Sequence, residues 1–203
     1  MRLARHSFLF SSLLLLALPV FPAAPIAKIQ TMLAKPAVLC GRFEQSKQLT
    51  GIKKPLLSNG RFCVAQGKGV LWRTLQPFPG TLKLTRDEIV QMQGERVAAR
   101  IDAKQEPTVR TINSVLFSLL AGDFSQLETL FEVDGVAQGD KWSVNLKARE
   151  AGLAKVIAGV ALEGGAYVKN ITLNEANGDR THIVFADMKT GEAAMTPEEA
   201  ALF

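Results

Sequence analysis

Three segments decide the fold: Gly41-Arg-Phe-Glu-Gln-Ser-Lys47, Gly60-Arg-Phe-Cys-Val64 and Gly69-Val-Leu-Trp-Arg-Thr74. Apolar and polar residues alternate in each of them, and turn residues separate them, which is typical of short antiparallel strands. Successive side chains of a strand point to opposite faces, so Phe43 and Phe62 are predicted to lie on the same side of one sheet. The sequence leaves open whether that side faces a packed core or a cavity.

The N-terminus has the pattern of an export signal. Arg2 and Arg5 precede an apolar run at residues 8–18, and the small residues Ala23 and Ala24 follow. This order predicts a secretory signal peptide over residues 1–24. Prolines flank the two alanines, so an uncleaved anchor remains the alternative. No cysteine directly follows the apolar run, which argues against a lipid-anchored lipoprotein.

The remainder, residues 25–203, is predicted to be one domain. The 203-residue chain is 47% hydrophobic and 21% charged, which is an ordinary globular composition. Its formal charge of +5 falls to about +3 without the two arginines of the signal. Basic residues do not form a stripe interleaved with aromatic ones, so we expect no nucleic-acid partner. We expect a monomer.

Cys40 and Cys63 are the two cysteines of the chain. An exported pair predicts a disulfide. The parity agrees, because each cysteine lies on the face opposite the phenylalanine of its own strand. Two free buried thiols are the alternative.

The rest of the chain is predicted to be mainly strands. We expect a short helix at Ile26–Lys35, a strand at Val38–Leu49 and a mobile loop at Thr50–Asn59. A helix is expected between residues 109 and 122, where Ile112, Val115, Leu116, Leu119 and Leu120 follow the spacing of an apolar helix face and Phe117 widens it. Further strands are expected at 81–85, 89–93, 97–101, 127–136, 142–148, 156–162, 167–173 and 180–186. The tail, Met188–Phe203, is expected to be a loose helix.

The order of these elements predicts an α+β protein. Many sequential antiparallel strands with about two helices favour a half-barrel or a strongly curved sheet with helices against its concave face.

Residues that would carry catalysis are nearly absent. His182 is the one histidine after the predicted signal, and a lone histidine in a strand is usually structural. The sequence has no Gly-x-Ser-x-Gly elbow, no paired-histidine zinc motif and no Cys-x-x-Cys. We therefore expect no enzyme, no cofactor and no metal site.

Apolar residues are the remaining candidates for function. They are Phe43, Phe62, Val70, Trp72, Phe78, Leu116, Phe117 and Leu120. An ordinary packed core explains each of them individually. The alternative is an apolar pocket under the helices, which would suit acyl chains because they need shielding from water and few polar contacts.

The sequence from about residue 26 to residue 186 resembles the LolA-type periplasmic lipoprotein carriers of Gram-negative bacteria. The resemblance rests on Phe43-x-Gln45, the spacing from Gly60 to Trp72, the pair Gln76-Pro77, the helix around Leu116, and the closing strands at 168–175 and 181–185 with the Asn177-Gly178 turn.

The resemblance implies an open, unclosed antiparallel β half-barrel with a helical lid over a hydrophobic cavity. It implies a periplasmic carrier that binds acyl chains of a lipoprotein or another lipid. Such a carrier takes cargo from an inner-membrane transporter to an outer-membrane acceptor. A static lipid-binding or sensor module similar to LolB or RseB is the alternative. One departure is clear: Gln66, Gly67 and Val70 stand where the housekeeping carriers have arginine, proline and phenylalanine, so another lipid cargo is expected.

Overall fold

A computed structural model describes residues 26–94, 96–102, 115, 117, 118, 124 and 127–203. Its strands are β1 (Val38–Gln48), β2 (Leu56–Ala65), β3 (Gly69–Gln76), β4 (Gly80–Leu84), β5 (Glu88–Gln93), β6 (Arg96–Asp102), β7 (Phe131–Gln138), β8 (Lys141–Ala148), β9 (Ile157–Gly164), β10 (Val168–Glu175) and β11 (Arg180–Thr190). Its helices are α1 (Ile26–Met32), α2 (Leu127–Leu130), α3 (Ala151–Ala154) and α4 (Pro197–Ala201), with a 3₁₀ turn at Glu192–Ala194.

All eleven strands belong to one antiparallel sheet in the order β6-β5-β4-β3-β2-β1-β11-β10-β9-β8-β7. The two halves of the chain form consecutive meanders, and β11 returns to pair with β1 along most of its length. Among the described residues β6 and β7 are not paired, so the sheet is not closed. This confirms the predicted open antiparallel architecture.

The sheet is strongly curved. Leu82 of β4 and Ile171 of β10 border one cavity, although four strands lie between them. In a flat sheet, five strand spacings would separate them by about 24 Å. The sheet therefore bends around this cavity and has a concave and a convex face.

Most of the core lies on the concave face. α1 packs against β7 through the fully buried Ile29, and Phe124 packs edge to face on Trp142 at a centroid distance of 5.3 Å. Val115, Phe117 and Ser118 are helical, and Val115 is buried in the same cluster. The rest of the predicted lid helix, with Leu116 and Leu120, lies outside the described residues.

Several predicted segments differ from the structure, and the helix predicted at Ile26–Lys35 ends at Met32. The loop at Thr50–Asn59 is shorter, because β2 already begins at Leu56. Residues 127–130 form a helical turn rather than the start of a strand, since Leu127 and Phe131 are both buried at a spacing that fits helix and strand alike. The tail is not a loose helix: β11 continues to Thr190, and a capped helix follows.

The tail forms a C-terminal arm, residues 192–203, that lies on the convex face. Thr196 and Glu199 form a capping box at the start of α4, with Pro197 in the first turn. Ala194, Met195, Leu202 and Phe203 of the arm pack against a second small core made of Val38, Cys40, Cys63, Ala65 and Leu71. Both faces of the central strands are therefore covered where the arm lies.

Candidate functional site

An apolar cavity of about 210 Å³ lies on the concave face, and we call it the trough. Its lining comes from β1, β3, β4, β10 and β11, and consists of Gln45, Trp72, Leu82, Leu84, Ile171, Ile183 and Phe185. Strand register brings these residues together: Leu82 is opposite Trp72, and Ile183 is opposite both Gln45 and Ile171. Gln45 is the one polar side chain among them.

An aromatic cluster forms the floor beside the trough. Phe43 stacks on Trp72 with ring centroids 3.8 Å apart, and Phe62 meets Phe185 edge to face at 4.9 Å. Trp72 and Phe185 are themselves in edge-to-face contact at 6.0 Å. Such pairs stabilise their geometry beyond the area they bury. The two rings that face the trough are therefore held by two rings that do not.

Two glycines make room for this cluster. Gly41 lies directly opposite Phe62, and Gly60 lies directly opposite Phe43. A Cβ at Gly60 would overlap the Arg73 carbonyl oxygen and come within 2.8 Å of the Phe43 ring. Each phenylalanine therefore lies over the glycine of its partner strand, which a side chain at that position would prevent.

A second pocket of about 400 Å³ adjoins the trough, with which it shares Trp72 and Leu82. We call it the side pocket. It extends to Phe78 and Pro79 in the connection between β3 and β4. The trough alone is smaller than the roughly 300–1,000 Å³ of typical ligand sites. The side pocket is lined by polar residues such as Thr74 and Gln91 as well as apolar ones, so the trough is the more apolar of the two. A ligand too long for the trough would extend into the side pocket.

The structure separates the predicted site residues into three groups. Trp72 lines both pockets, and Phe78 lines the side pocket with 82% of its surface exposed. Phe43, Phe62 and Val70 are buried behind this surface, and Phe117 packs against the core. Leu116 and Leu120 lie outside the described residues. Contact of any of these residues with a lipid stays a prediction.

Six residues that line the trough are not among the predicted site residues: Gln45 and the apolar residues Leu82, Leu84, Ile171, Ile183 and Phe185. Their alternation with polar neighbours did signal that they share one face of the sheet. It did not show which strands the curvature would bring together.

A buried carboxylate of the C-terminal arm lies between the arm and the convex face of the sheet. Glu199 is 1% exposed, and the Arg61 guanidinium binds both of its oxygens, Nε to Oε1 at 2.9 Å and Nη2 to Oε2 at 3.1 Å. Its Oε2 also accepts the Thr196 backbone N–H at 2.9 Å. Burial alone would raise the pKa of Glu199, but these hydrogen bonds and the charges of Arg61 and Arg73 outweigh it and lower that pKa. In turn, the hydrogen bond to Glu199 raises the pKa of Arg61.

Cys40, Cys63 and Glu199 have ligand atoms within 4.8 Å of one another. The two sulfurs form a disulfide, as the sequence predicts, and so they do not offer thiolates to a metal. Glu199 Oε2 lies 3.5 Å from the Cys63 sulfur. This cluster is a structural link between the arm and the sheet.

With the fold and the trough described, the comparison with known proteins decides the family. Residues 22–202 match the family described as outer membrane lipoprotein carrier protein LolA-like. The chain belongs to the LolA-like family. A search of curated proteins finds no match.

Solved structures of similar shape have low sequence identity. A LolA superfamily protein from Nitrosomonas europaea has 9% identity, with 85% of this chain and 93% of that chain covered and a TM-score of 0.45. A putative outer membrane lipoprotein-sorting protein domain from Vibrio parahaemolyticus has 7% identity, the same coverages and a TM-score of 0.44. The MucA/MucB complex from Pseudomonas aeruginosa has 14% identity, coverages of 85% and 62% and a TM-score of 0.47. Membership in the LolA-like family therefore rests on the family match.

The positions at which a departure from the housekeeping carriers is predicted lie in and next to the turn between β2 and β3. Gln66 is exposed in the β2–β3 turn, where its backbone N–H donates to the Ala37 carbonyl at 2.8 Å. Gly67 follows with a φ of +76°, which glycine adopts without strain. Val70 is fully buried. Among the described residues, no helix is long and apolar enough to cross a membrane.

Proposed function

We propose that this protein is a periplasmic carrier that binds acyl chains of a lipoprotein or another lipid in the trough and the side pocket. The apolar lining of the trough is the observation that carries the proposal. Six of the seven lining residues are apolar. The cavity lies on the concave face, which also carries most of the hydrophobic core. An acyl chain needs this kind of surface, because its binding energy comes from removing apolar area from water.

Family membership and the disulfide support a periplasmic location. The LolA-like family is described as outer membrane lipoprotein carriers. Cys40 and Cys63 are bonded, and such bonds persist in oxidising compartments such as the periplasm. The export pattern of residues 1–24 agrees with this placement.

Binding without catalysis is the role that fits the lining of the trough. Gln45 is its polar residue, and a neutral amide both donates and accepts hydrogen bonds. It is suited to an ester or amide group at the head of an acyl chain. His182 lies elsewhere, exposed and bonded through Nδ1 to the Thr172 hydroxyl at 3.0 Å.

Two adjacent residues of β11 provide the sharpest test of the trough. Ile183 lines it, whereas Val184 follows in the strand and is 37% exposed on the opposite face. We expect Ile183→Glu to abolish lipid binding, since a carboxylate would be placed against acyl chains. Val184→Glu should bind normally. Lipid extraction and mass spectrometry of each protein, purified from the periplasm, measures both.

The outcome that would contradict the proposal is equal lipid content in the two variants, with the same far-UV circular dichroism. A wild-type protein that carries no extractable lipid would contradict it as well. The Leu116 position, outside the described residues, offers a second test: an acidic residue there should remove lipid without unfolding if the helix closes over the cavity.

Shuttling from the inner towards the outer membrane goes one step beyond binding. A carrier releases its lipid to acceptor membranes, while a static sensor module retains it. Transfer of lipid from loaded protein to an outer-membrane acceptor separates the two. We expect transfer, with the inner-membrane transporter and the outer-membrane acceptor as partners.

A further inference from the structure

Two connections at one end of the sheet expose large apolar side chains. β1 ends at Gln48 and β2 begins at Leu56, while β3 ends at Gln76 and β4 begins at Gly80. Because neighbouring strands are antiparallel, both connections lie at the same end of the sheet. Five side chains there are exposed by 47–82%: Ile52, Leu56, Leu57, Leu75 and Phe78. We call this surface the rim.

The two parts of the rim are neighbours. β2 and β3 pair next to each other, with Asn59 opposite Gln76. Leu57 at the start of β2 and Pro77 in the connection between β3 and β4 border the same pocket. The two parts of the rim therefore adjoin at Leu57 and Pro77. Contiguous exposed apolar surface of this kind usually marks an interaction site.

The rim is also basic. Lys53 and Lys54 lie between Ile52 and Leu56 and are exposed, and neither has an ion-pair partner among the residues that the structure describes. Residues 49–57 and 75–79 contain no acidic side chain. Two acidic side chains lie beside them: Glu44 borders the pocket shared by Leu57 and Pro77, and Asp179 accepts the Thr50 backbone N–H at 2.8 Å and lies 4.0 Å from Lys47. Apolar side chains combined with lysines match the interface of an anionic bilayer, where the former enter the acyl boundary and the latter meet headgroup phosphates.

We propose that the rim docks on the surface of a membrane that contains anionic lipids. Phe78 belongs both to the rim and to the side pocket that leads to the trough. Docking by this end would place the opening of the lipid path against the bilayer, so that an acyl chain enters with little exposure to water. This orientation rests on the proposed function, whereas docking itself does not require cargo.

The test measures binding to vesicles by sedimentation, with phosphatidylglycerol mixed into phosphatidylcholine and with phosphatidylcholine alone. All proteins are the full chain expressed for export, so any retained N-terminal segment is common to every variant. We expect wild-type protein to prefer the anionic vesicles and to dissociate as salt rises. Lys53→Gln with Lys54→Gln should weaken binding about thirtyfold, because each lysine near such a surface strengthens binding roughly fivefold.

The matched control is Lys68→Gln with Lys141→Gln, which removes the same charge from exposed positions at the other end of the strands. It should bind like the wild-type protein. Phe78→Ser should also weaken binding, and Val136→Ser, an exposed apolar position on β7, should not. Equal binding to neutral and anionic vesicles, equal losses in the control, or rim variants that bind like wild type would overturn the proposal. Rim variants that bind vesicles like wild type would indicate that the rim contacts a protein partner instead of a membrane.

A measurement of lipid content distinguishes a failure of membrane docking from a failure of lipid binding. The variant Lys53→Gln with Lys54→Gln, whose lysines line neither the trough nor the side pocket, should still carry lipid acquired in the periplasm at a reduced level. Ile183→Glu should dock normally and carry none. Loss of docking in Ile183→Glu, with its fold intact, would contradict the separation of the two surfaces.

Discussion

Arg61 and Glu199 form a bidentate ion pair, although they are 138 residues apart in the chain. The pair connects the second strand of the sheet to the C-terminal arm. Arg73 adds its guanidinium 3.8 Å from Glu199 Oε1 and also binds Glu198. The carboxylate is buried and the guanidinium is one-third exposed. The carboxylate of Glu199 therefore holds the arm on the sheet, and it is shielded from water where α4 packs against the sheet.

Loss of this carboxylate should destabilise the protein. Glu199→Gln leaves Arg61 without its charged partner, and we expect the free energy of unfolding to fall by about 2 kcal/mol, since bonds to charged groups contribute roughly 1.5–3 kcal/mol. Urea unfolding with the disulfide intact measures it. The control is Glu198→Gln, the adjacent and largely exposed residue, for which about 0.5 kcal/mol or less is expected. Equal losses in the two variants would contradict a special role for the buried pair.

The same ion pair should make the free energy of unfolding depend on pH in the acidic range. The pKa of Glu199 is lower in the folded protein, so its contribution is complete above the unfolded pKa of about 4.3 and is lost as the pH falls through the folded pKa. We expect the stability difference between wild type and Glu199→Gln to be constant near pH 7 and to shrink below about pH 4. Unfolding curves at a series of pH values report this. A difference that persists unchanged at pH 3 would show that charge is not its cause.

The disulfide should contribute to stability as well. Cys40 and Cys63 are directly opposite on β1 and β2 and are 23 residues apart in sequence. Closing such a loop is worth on the order of 3 kcal/mol. The double variant Cys40→Ala with Cys63→Ala should lose about that amount in urea unfolding. Non-reducing peptide mapping of the wild-type protein should recover the two cysteines in one linked peptide pair, and freely alkylated thiols would contradict the bond.

Gly60 should not tolerate a side chain. Gly60→Ala would push a methyl group into the Arg73 carbonyl and the Phe43 ring, and overpacking of this kind costs roughly 1–3 kcal/mol. Displacement of Phe43 should also change the fluorescence of Trp72, on which it stacks. Gly152→Ala is the control, because open space surrounds that position in α3 and alanine favours a helix. It should be neutral or slightly stabilising; a neutral Gly60→Ala would mean that the aromatic cluster adapts freely.

Local pattern was enough to predict much of the sheet. Alternation placed Phe43 and Phe62 on one face and Cys40 and Cys63 on the other, because the side-chain period of a strand is fixed at two. The capping sequence Thr196-Pro-Glu-Glu199 was equally readable and would have corrected the predicted loose tail. Leu127 was ambiguous, since a short apolar run fits both periods.

By itself, the sequence determined which residues share a face and the LolA-like resemblance, because both depend on spacing along the chain. It favoured the Cys40–Cys63 bond over two free thiols, and the structure contains that bond. The tertiary structure decided which of those residues meet. The sheet's curvature brings Leu82 and Ile171 to one cavity, and the arm brings Glu199 to Arg61. Both depend on strand order and on packing between segments more than 80 residues apart. No local period encodes contacts at such a distance, since they form only when the whole sheet has assembled and curved.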